Sequence, residues 1–304
     1  MPLILVTGAS GFVGTFLLEE MRRRELPFLG VSRRPKKDLI QILTYSKEMN
    51  WAPLLVGVDT IVHLAARVHV RNDPASKRLS EFRKANVDAT LHLARCAAKA
   101  GVRRFVFVST IKVNGETTEP GKPFRAEDAP NPQGPYAISK AEAEAGLLDI
   151  AYNTGLEITI IRPPMVYGPN AKGNVETLAR WAKFRLPSPF GTLKNNRSLV
   201  HVLNLSSVII AACYHPKAAN EVFLVADGTS ISTHKLLLDL GWTKAPRSLD
   251  LLFAWTILIA LKLRRSTREK LLGNLEVDVE KTRSLLGWKP SSFFSQSSVF
   301  RAES

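Results

Sequence analysis

Over the first 165 residues, short apolar runs alternate with stretches in which apolar residues recur every three to four positions. The runs are Leu3–Val6, Phe28–Ser32, Asp59–Ala65, Arg104–Ser109 and Glu157–Ile161. Each is short and mostly Val, Ile, Leu or Phe, as expected of strands buried on both faces of a parallel sheet. Between them, Phe12–Glu25 puts Phe12, Val13, Phe16, Leu17 and Met21 on one helical stripe. Leu79–Ala100 reads as a long helix stopped by Gly101, and Tyr136–Asn153 as another. Strands alternating with helices mean βαβ units, so the expected class is α/β with a doubly wound parallel sheet.

After Pro163 the rhythm loosens, and Gly, Pro and Asn are common as far as Asn196. Helices are expected at Val175–Phe184, Leu203–Tyr214 and Thr233–Leu240, with a strand at Glu221–Val225. This reads as a smaller mixed lobe beside the carboxyl edge of the sheet. The organisation expected is a first domain over 1–165, a substrate lobe over 166–290, and a Ser-rich frayed tail over 291–304.

Composition narrows the class. Apolar residues make up 45% and charged residues 23%, enough for a sizeable core and against intrinsic disorder. Cys96 and Cys213 lie far apart, and the six histidines show no ligand-like pairing, so neither a disulfide scaffold nor a metal centre is expected. Pro2–Val6 is already a strand with no basic segment before it, and no apolar run reaches the roughly 18–20 residues of a membrane span. A cytoplasmic protein is expected. The formal charge of +15, heavier after residue 165, suits anionic partners such as phosphates or an anionic membrane face, or plain solubility.

The first strand runs into TGASGFVG, Thr7–Gly14. Gly8, Gly11 and Gly14 sit at the turn and at the start of a helix, where glycine permits a tight turn, close approach to a pyrophosphate and helix–strand packing. Ser10, Phe12 and Val13 complete the loop, whose unpaired N–H groups face the phosphates. The context of strand, loop and amphipathic helix makes this a dinucleotide site and the sheet Rossmann-type. An acid at the end of the second strand would bind a ribose 2′-hydroxyl. Here stand Ser32, Arg33 and Arg34, which suit a 2′-phosphate, so NADP(H) is favoured and NAD(H) is the other cofactor.

Tyr136 and Lys140 form a YxxxK pair at the start of a helix, and their spacing places both on one face. The ammonium can lower the tyrosine pKa and hold the nicotinamide ribose, and the tyrosine can exchange a proton with a carbonyl or carbinol. Ser109 and Thr110, at the end of an earlier strand, offer a hydroxyl to the reacting oxygen.

With these motifs the chain resembles the extended short-chain dehydrogenase/reductases, in the nucleotide-sugar epimerase/dehydratase group. The likeness spans roughly Leu3–Pro290 and rests on TGASGFVG, HLAA, NVDATLHL, FVFVSTIKVNGE, YAISK, RPPMVYGP and NRSLVHVLNL. The resemblance implies Thr110, five residues before Gly115, as the catalytic hydroxyl, beside Tyr136 and Lys140. It implies cofactor contacts at Leu64, Ala65, Ala66, Asn86 and Pro163. It implies substrate contacts at Lys112, Asn174, Arg197 and Arg268, the two arginines on a nucleotide diphosphate, with Lys270 a rival for the last. Two departures are the missing acid after the second strand and a Ser-rich tail after Trp288-Lys289-Pro290.

Within the family the motifs look most like UDP-4-keto-6-deoxy-hexosamine 4-reductases and UDP-hexose 4-epimerases of surface-polysaccharide (O-antigen) synthesis. Ser32-Arg33 leans to a cofactor exchanged on each turnover, hence to the reductase; the epimerase is the runner-up, and a non-catalytic NADP-binding sensor or scaffold is the distant third. A dehydratase would carry an Asp-Glu pair where Ile111-Lys112 stand. The expected partner is a UDP-sugar, with no nucleic acid beyond that nucleotide, and a homodimer is left open. Leu249–Leu263, apolar almost all round and followed by Arg264-Arg265, reads as a buried helix or as an interfacial helix at the inner face of an anionic membrane.

Overall fold

A computed structural model describes residues 1–68, 78–171, 188, 194–240, 242–243 and 272–292. Seven strands form one parallel sheet in the order β3-β2-β1-β4-β5-β6-β9. They are β1 (Leu3–Thr7), β2 (Phe28–Ser32), β3 (Ile40–Gln41), β4 (Val58–His63), β5 (Arg104–Val108), β6 (Glu157–Arg162) and β9 (Val222–Leu224). This is the α/β Rossmann-type class read from the sequence.

Alternation along the strands explains why both faces are dry. Ile4, Val6, Val62, Val106 and Ile161 point to one face. There they meet Leu17, Leu18 and Met21 of α1 (Phe12–Arg23), and Leu205, Val208 and Ile209 of α6 (Val202–Tyr214). Leu5, Ile61, Phe105, Phe107 and Ile160 point to the other. They pack on Leu93, Ala94 and Ala97 of α4 (Ala89–Lys99), and on Ala143, Leu147 and Ile150 of α5 (Gly134–Thr154). Each fully buried Leu or Ile side chain contributes about 1.5–3 kcal/mol relative to exposure. Gly101 and Gly155, at φ +73 each, end the segments of α4 and α5.

Two expectations are corrected here. Leu79–Ala100 is not one regular helix: α3 (Arg78–Arg83) passes into a π-helical turn at Lys84–Asp88 before α4 begins. The wider turn carries Asn86 inward, where polar partners hold it. The strand assigned to the second lobe, Glu221–Val225, instead joins the main sheet as β9, parallel to β6. Its Phe223 and Leu224 are buried, and α6 before it covers the same face as α1. Residue 165 therefore does not divide the sheet from the remainder.

What stands beside the carboxyl edge is smaller. β7 (Met165–Tyr167) pairs in parallel with β8 (Leu199–His201). Tyr167 and Leu199 pack with Leu236 and Leu240, and with Phe12 at the start of α1. The last two described helices are α7 (Thr233–Asp239) and α8 (Glu280–Leu286). The expected helix Val175–Phe184, the segment Leu249–Leu263 and nearly all of the Ser-rich tail lie outside the described residues. No described helix is long and apolar enough to cross a membrane, and no described group of His, Cys, Asp and Glu could hold a metal ion.

Candidate active site

The glycine loop closes tightly on itself and on the exit of β4. Gly8 has φ +69, and a Cβ there would lie 2.7 Å from the backbone nitrogen of Ala65. A Cβ on Gly14 would lie 2.4 Å from the Gly8 carbonyl oxygen. Ala65 N–H donates to Thr7 Oγ1 at 3.4 Å and Leu64 N–H to the Thr7 carbonyl at 3.2 Å, so the segment Leu64–Ala66 lies against the loop. No side chain caps the N-terminus of α1 at Gly11, whose own N–H donates to the Gly8 carbonyl at 2.9 Å. A bare helix N-terminus beside a backbone-only cradle fits a dinucleotide pyrophosphate.

Ser32 ends β2, is buried, and its hydroxyl is already engaged. It donates to Ser10 Oγ at 2.7 Å and accepts from Arg34 N–H at 3.2 Å. It therefore braces the glycine loop, while Arg33 and Arg34 stand exposed beyond it. Sequence reasoning passed over Tyr45, whose hydroxyl accepts from Gly8 N–H at 3.2 Å and whose ring packs at a tilt against that of Trp51.

Thr110 begins a one-turn 3₁₀ helix, Ile111–Val113, and its Oγ1 accepts from Lys112 N–H at 3.4 Å. The Thr110 O–H is left as a donor. Ile111 N–H reaches the Pro163 carbonyl at 2.9 Å, tying this turn to the end of β6.

Half-buried Tyr136 and buried Lys140 share one face of α5, and burial pushes the Tyr136 phenol up to about 12. Lys140 is 2% exposed. Its Nζ donates to the Val108 carbonyl at 2.8 Å and sits 3.7 Å over the Phe107 ring. Burial lowers its pKa to about 7, and Glu144 opposes that fall. His63 at the end of β4 is held between Thr7 Oγ1 (2.8 Å) and Thr90 Oγ1 (3.0 Å). Burial, then the Lys140 charge, lowers it to about 3, so it stays neutral. Thr110, Tyr136 and Lys140 thus come from the end of β5 and the first turns of α5, at the carboxyl edge where a doubly wound sheet places its ligands.

Asn86 spends its carboxamide on the protein. Its Oδ1 accepts from Arg67 N–H at 2.8 Å, and its Nδ2 donates to the Arg67 carbonyl and to Ser139 Oγ. It joins the loop after β4 to α5. Arg197 is half-buried, donates from Nη1 to the Gly273 carbonyl at 2.8 Å, and feels the Glu116 charge. Lys112 Nζ meets Glu116 Oε1 at 3.2 Å. Glu116 thus meets Lys112 directly and acts on Arg197 through its charge, whereas Asn174, Arg268 and Lys270 lie outside the described residues. Sequence reasoning also missed Glu144 and Asn114, which bond Arg162 in the interior. Glu144 was legible as a carboxylate four residues after Lys140.

The chain is 37% identical over 296 residues to a UDP-glucose 4-epimerase from Vibrio cholerae, covering 94% of this chain and 90% of that one. It is 28% identical over 254 residues to an N-acetyl-α-D-glucosaminyl-diphospho-ditrans,octacis-undecaprenol 4-epimerase from Escherichia coli O157:H7, covering 78% of this chain and 70% of that one. Among solved structures, the UDP-glucuronic acid 4-epimerase from Bacillus cereus in complex with NAD superposes with a TM-score of 0.74 at 20% identity, over 96% of this chain and 95% of that one. Residues 4–226, which include the glycine loop, Thr110, Tyr136 and Lys140, match a single family model, and the chain belongs to the NAD dependent epimerase/dehydratase family.

Proposed function

We propose that the protein is a UDP-(N-acetyl)hexose 4-epimerase that retains its dinucleotide. The observation that carries this reading is the 37% identity to a UDP-glucose 4-epimerase across nearly the whole of both chains. A bound nicotinamide supplies the acceptor and donor of the C4 hydride. The chain's own residues handle the oxygen. Thr110 donates a hydrogen bond to the sugar O4 through the O–H that its N-cap contact leaves available. Tyr136 takes the O4 proton and later returns it. Lys140 holds the nicotinamide ribose. Arg197 and Lys112 supply cationic contacts to the nucleotide diphosphate, and Gly8–Gly14 cradle the dinucleotide.

A second reading rests on a specific observation. No acid follows β2, and Arg33 is exposed after Ser32. That pattern favours NADP(H) and a 4-reductase acting on a UDP-4-keto-6-deoxy-hexosamine. The two readings separate in one experiment. Purified protein is incubated with UDP-GlcNAc alone, and separately with UDP-4-keto-6-deoxy-GlcNAc and NADPH. An epimerase interconverts UDP-GlcNAc and UDP-GalNAc without added cofactor and without net change in nicotinamide absorbance. Stoichiometric NADPH consumption with the keto sugar, and none of that interconversion, would overturn the first reading in favour of the reductase. Cytoplasmic placement, a homodimeric assembly, and contact of Leu249–Leu263 with an anionic bilayer belong to this proposal as well; the last suits a polyprenyl-linked sugar.

A further inference from the structure

Behind Lys140, one helical turn deeper in α5, lies a buried carboxylate. Glu144 is 4% exposed. Arg162, the last residue of β6 and 5% exposed, faces it. The guanidinium donates from Nε to both carboxylate oxygens at 3.1 Å and from Nη2 to Oε2 at 2.6 Å. Its Nη1 donates to Asn114 Oδ1 at 3.0 Å, and Asn114 Nδ2 donates to the Arg125 carbonyl. Arg162 therefore joins three elements at once: the helix of Tyr136 and Lys140, the end of β6 beside Pro163, and the loop that begins at Thr110. A buried ion pair of this kind is weak as a source of stability, because desolvating the two charges costs about as much as their attraction returns. Its position suggests another use.

We propose that Glu144 and Arg162 are positioning residues that register Tyr136 and Lys140 against the Thr110 loop and keep a fixed negative charge one turn behind the Lys140 ammonium. Position i+4 on a helix lies directly behind position i. No other carboxylate acts on Lys140 among the described residues, and burial alone would strip its proton near neutral pH. The charged groups of the neighbouring elements are engaged elsewhere. Arg83 of α3 pairs with Glu142, Lys84 of the π-helical turn with Glu81, and Lys112 with Glu116. His92 of α4 bonds the Met49 carbonyl, and Glu157 meets Arg103 and Arg104 at the opposite end of β6. His63 of β4 is neutral. Tyr136 is the remaining titratable group on the same face. Arg162 fixes the Glu144 carboxylate in place through three hydrogen bonds, so its position behind Lys140 does not depend on solvent.

The inference rests on Tyr136 and Lys140 carrying the proton transfer, and its test needs no sugar, so failure of the epimerase reading and failure of this proposal are separate results. Protein labelled with ¹³C at lysine Cε is titrated by NMR, and Lys140 is assigned by its loss in Lys140→Met. In Glu144→Gln, which keeps the shape but removes the charge, the Lys140 midpoint falls by about one pH unit or more. Should that variant fail to fold with Arg162 uncompensated, Glu144→Leu/Arg162→Met carries the test, since apolar replacement of a buried pair is commonly tolerated. The same downward shift is expected there. A Lys140 midpoint unchanged from wild type in a folded variant overturns the proposal and leaves the pair a purely structural tie.

Discussion

Lys140 Nζ donates to the Val108 carbonyl at 2.8 Å, with its ammonium 3.7 Å above the ring of Phe107, the preceding residue of β5. Lys140 is therefore anchored to the strand that ends just before Thr110. Its pKa is lowered from 10.5 to about 7 by burial. Between those values the unfolded chain binds a proton that the folded chain does not, so stability rises with pH across that window and the contribution is flat below it. In ligand-free protein, denaturant unfolding at about pH 7 and about pH 10 should show that rise, and Lys140→Met should remove it. An equal rise in the variant would place the effect on another group.

His63 titrates in the opposite part of the scale. Burial between Thr7 and Thr90 lowers its pKa from 6.5 to about 3. The folded chain refuses a proton that the unfolded chain accepts, so stability is complete above about 6.5 and falls as pH drops toward 3 by up to ~1.4 kcal/mol per unit. His63→Asn should cost stability at pH 7 yet flatten the slope between about pH 6.5 and 4. Equilibrium unfolding in urea at several pH values measures both, and an unchanged slope would contradict the assignment.

The glycine loop makes a sharper demand. Gly8→Ala forces a Cβ at φ +69 to within 2.7 Å of Ala65 nitrogen. The strain alone costs about 1–3 kcal/mol. Gly14→Ala sets a Cβ 2.4 Å from the Gly8 carbonyl, which opens the cradle. Both should weaken dinucleotide binding by more than about tenfold in calorimetric titration. Gly57→Ala, at φ +72 in open space, is the control and should bind normally.

Arg33 tests the choice between dinucleotides. Ser32 already bonds Ser10 and the Arg34 N–H, so reading of a 2′-phosphate falls to the exposed guanidiniums after it. Arg33→Ala should weaken NADPH by about tenfold, the loss of one charge-assisted contact, and leave NADH unchanged. Equal loss of both, by fluorescence titration, would show that Arg33 does not read the phosphate.

Tyr136→Phe removes the transferable proton alone. Turnover should fall by at least about 100-fold while dinucleotide binding survives. Turnover near wild type would remove Tyr136 from the chemistry.

The local pattern was sufficient for much of this protein. Apolar runs of strand length separated by amphipathic stretches specify a parallel sheet covered on both faces, because residues alternate across a strand and recur at 3.6 in a helix. The motif TGASGFVG and the pair Tyr136/Lys140 were legible for the same reason: their chemistry depends on spacing within one turn, which the chain itself sets. Other features depended on packing between distant segments. Val222–Leu224 joins the main sheet because the β6 edge offers unpaired backbone groups and α6 covers the same face as α1; nothing within those three residues says so. The π-helical turn exists because Asn86 finds partners at Arg67 and Ser139, 19 and 53 positions away. Ser32, read as a phosphate ligand, became a brace once Ser10 lay 2.7 Å from it. The Glu144–Arg162 pair forms only when α5 lies on β6, since the spacing of Glu144 from Lys140 does not say which guanidinium it will meet. Short-range geometry was written in the order of the residues, whereas the identity of each polar group's partner was decided by the tertiary fold, because buried polar atoms must find partners wherever the packing brings them.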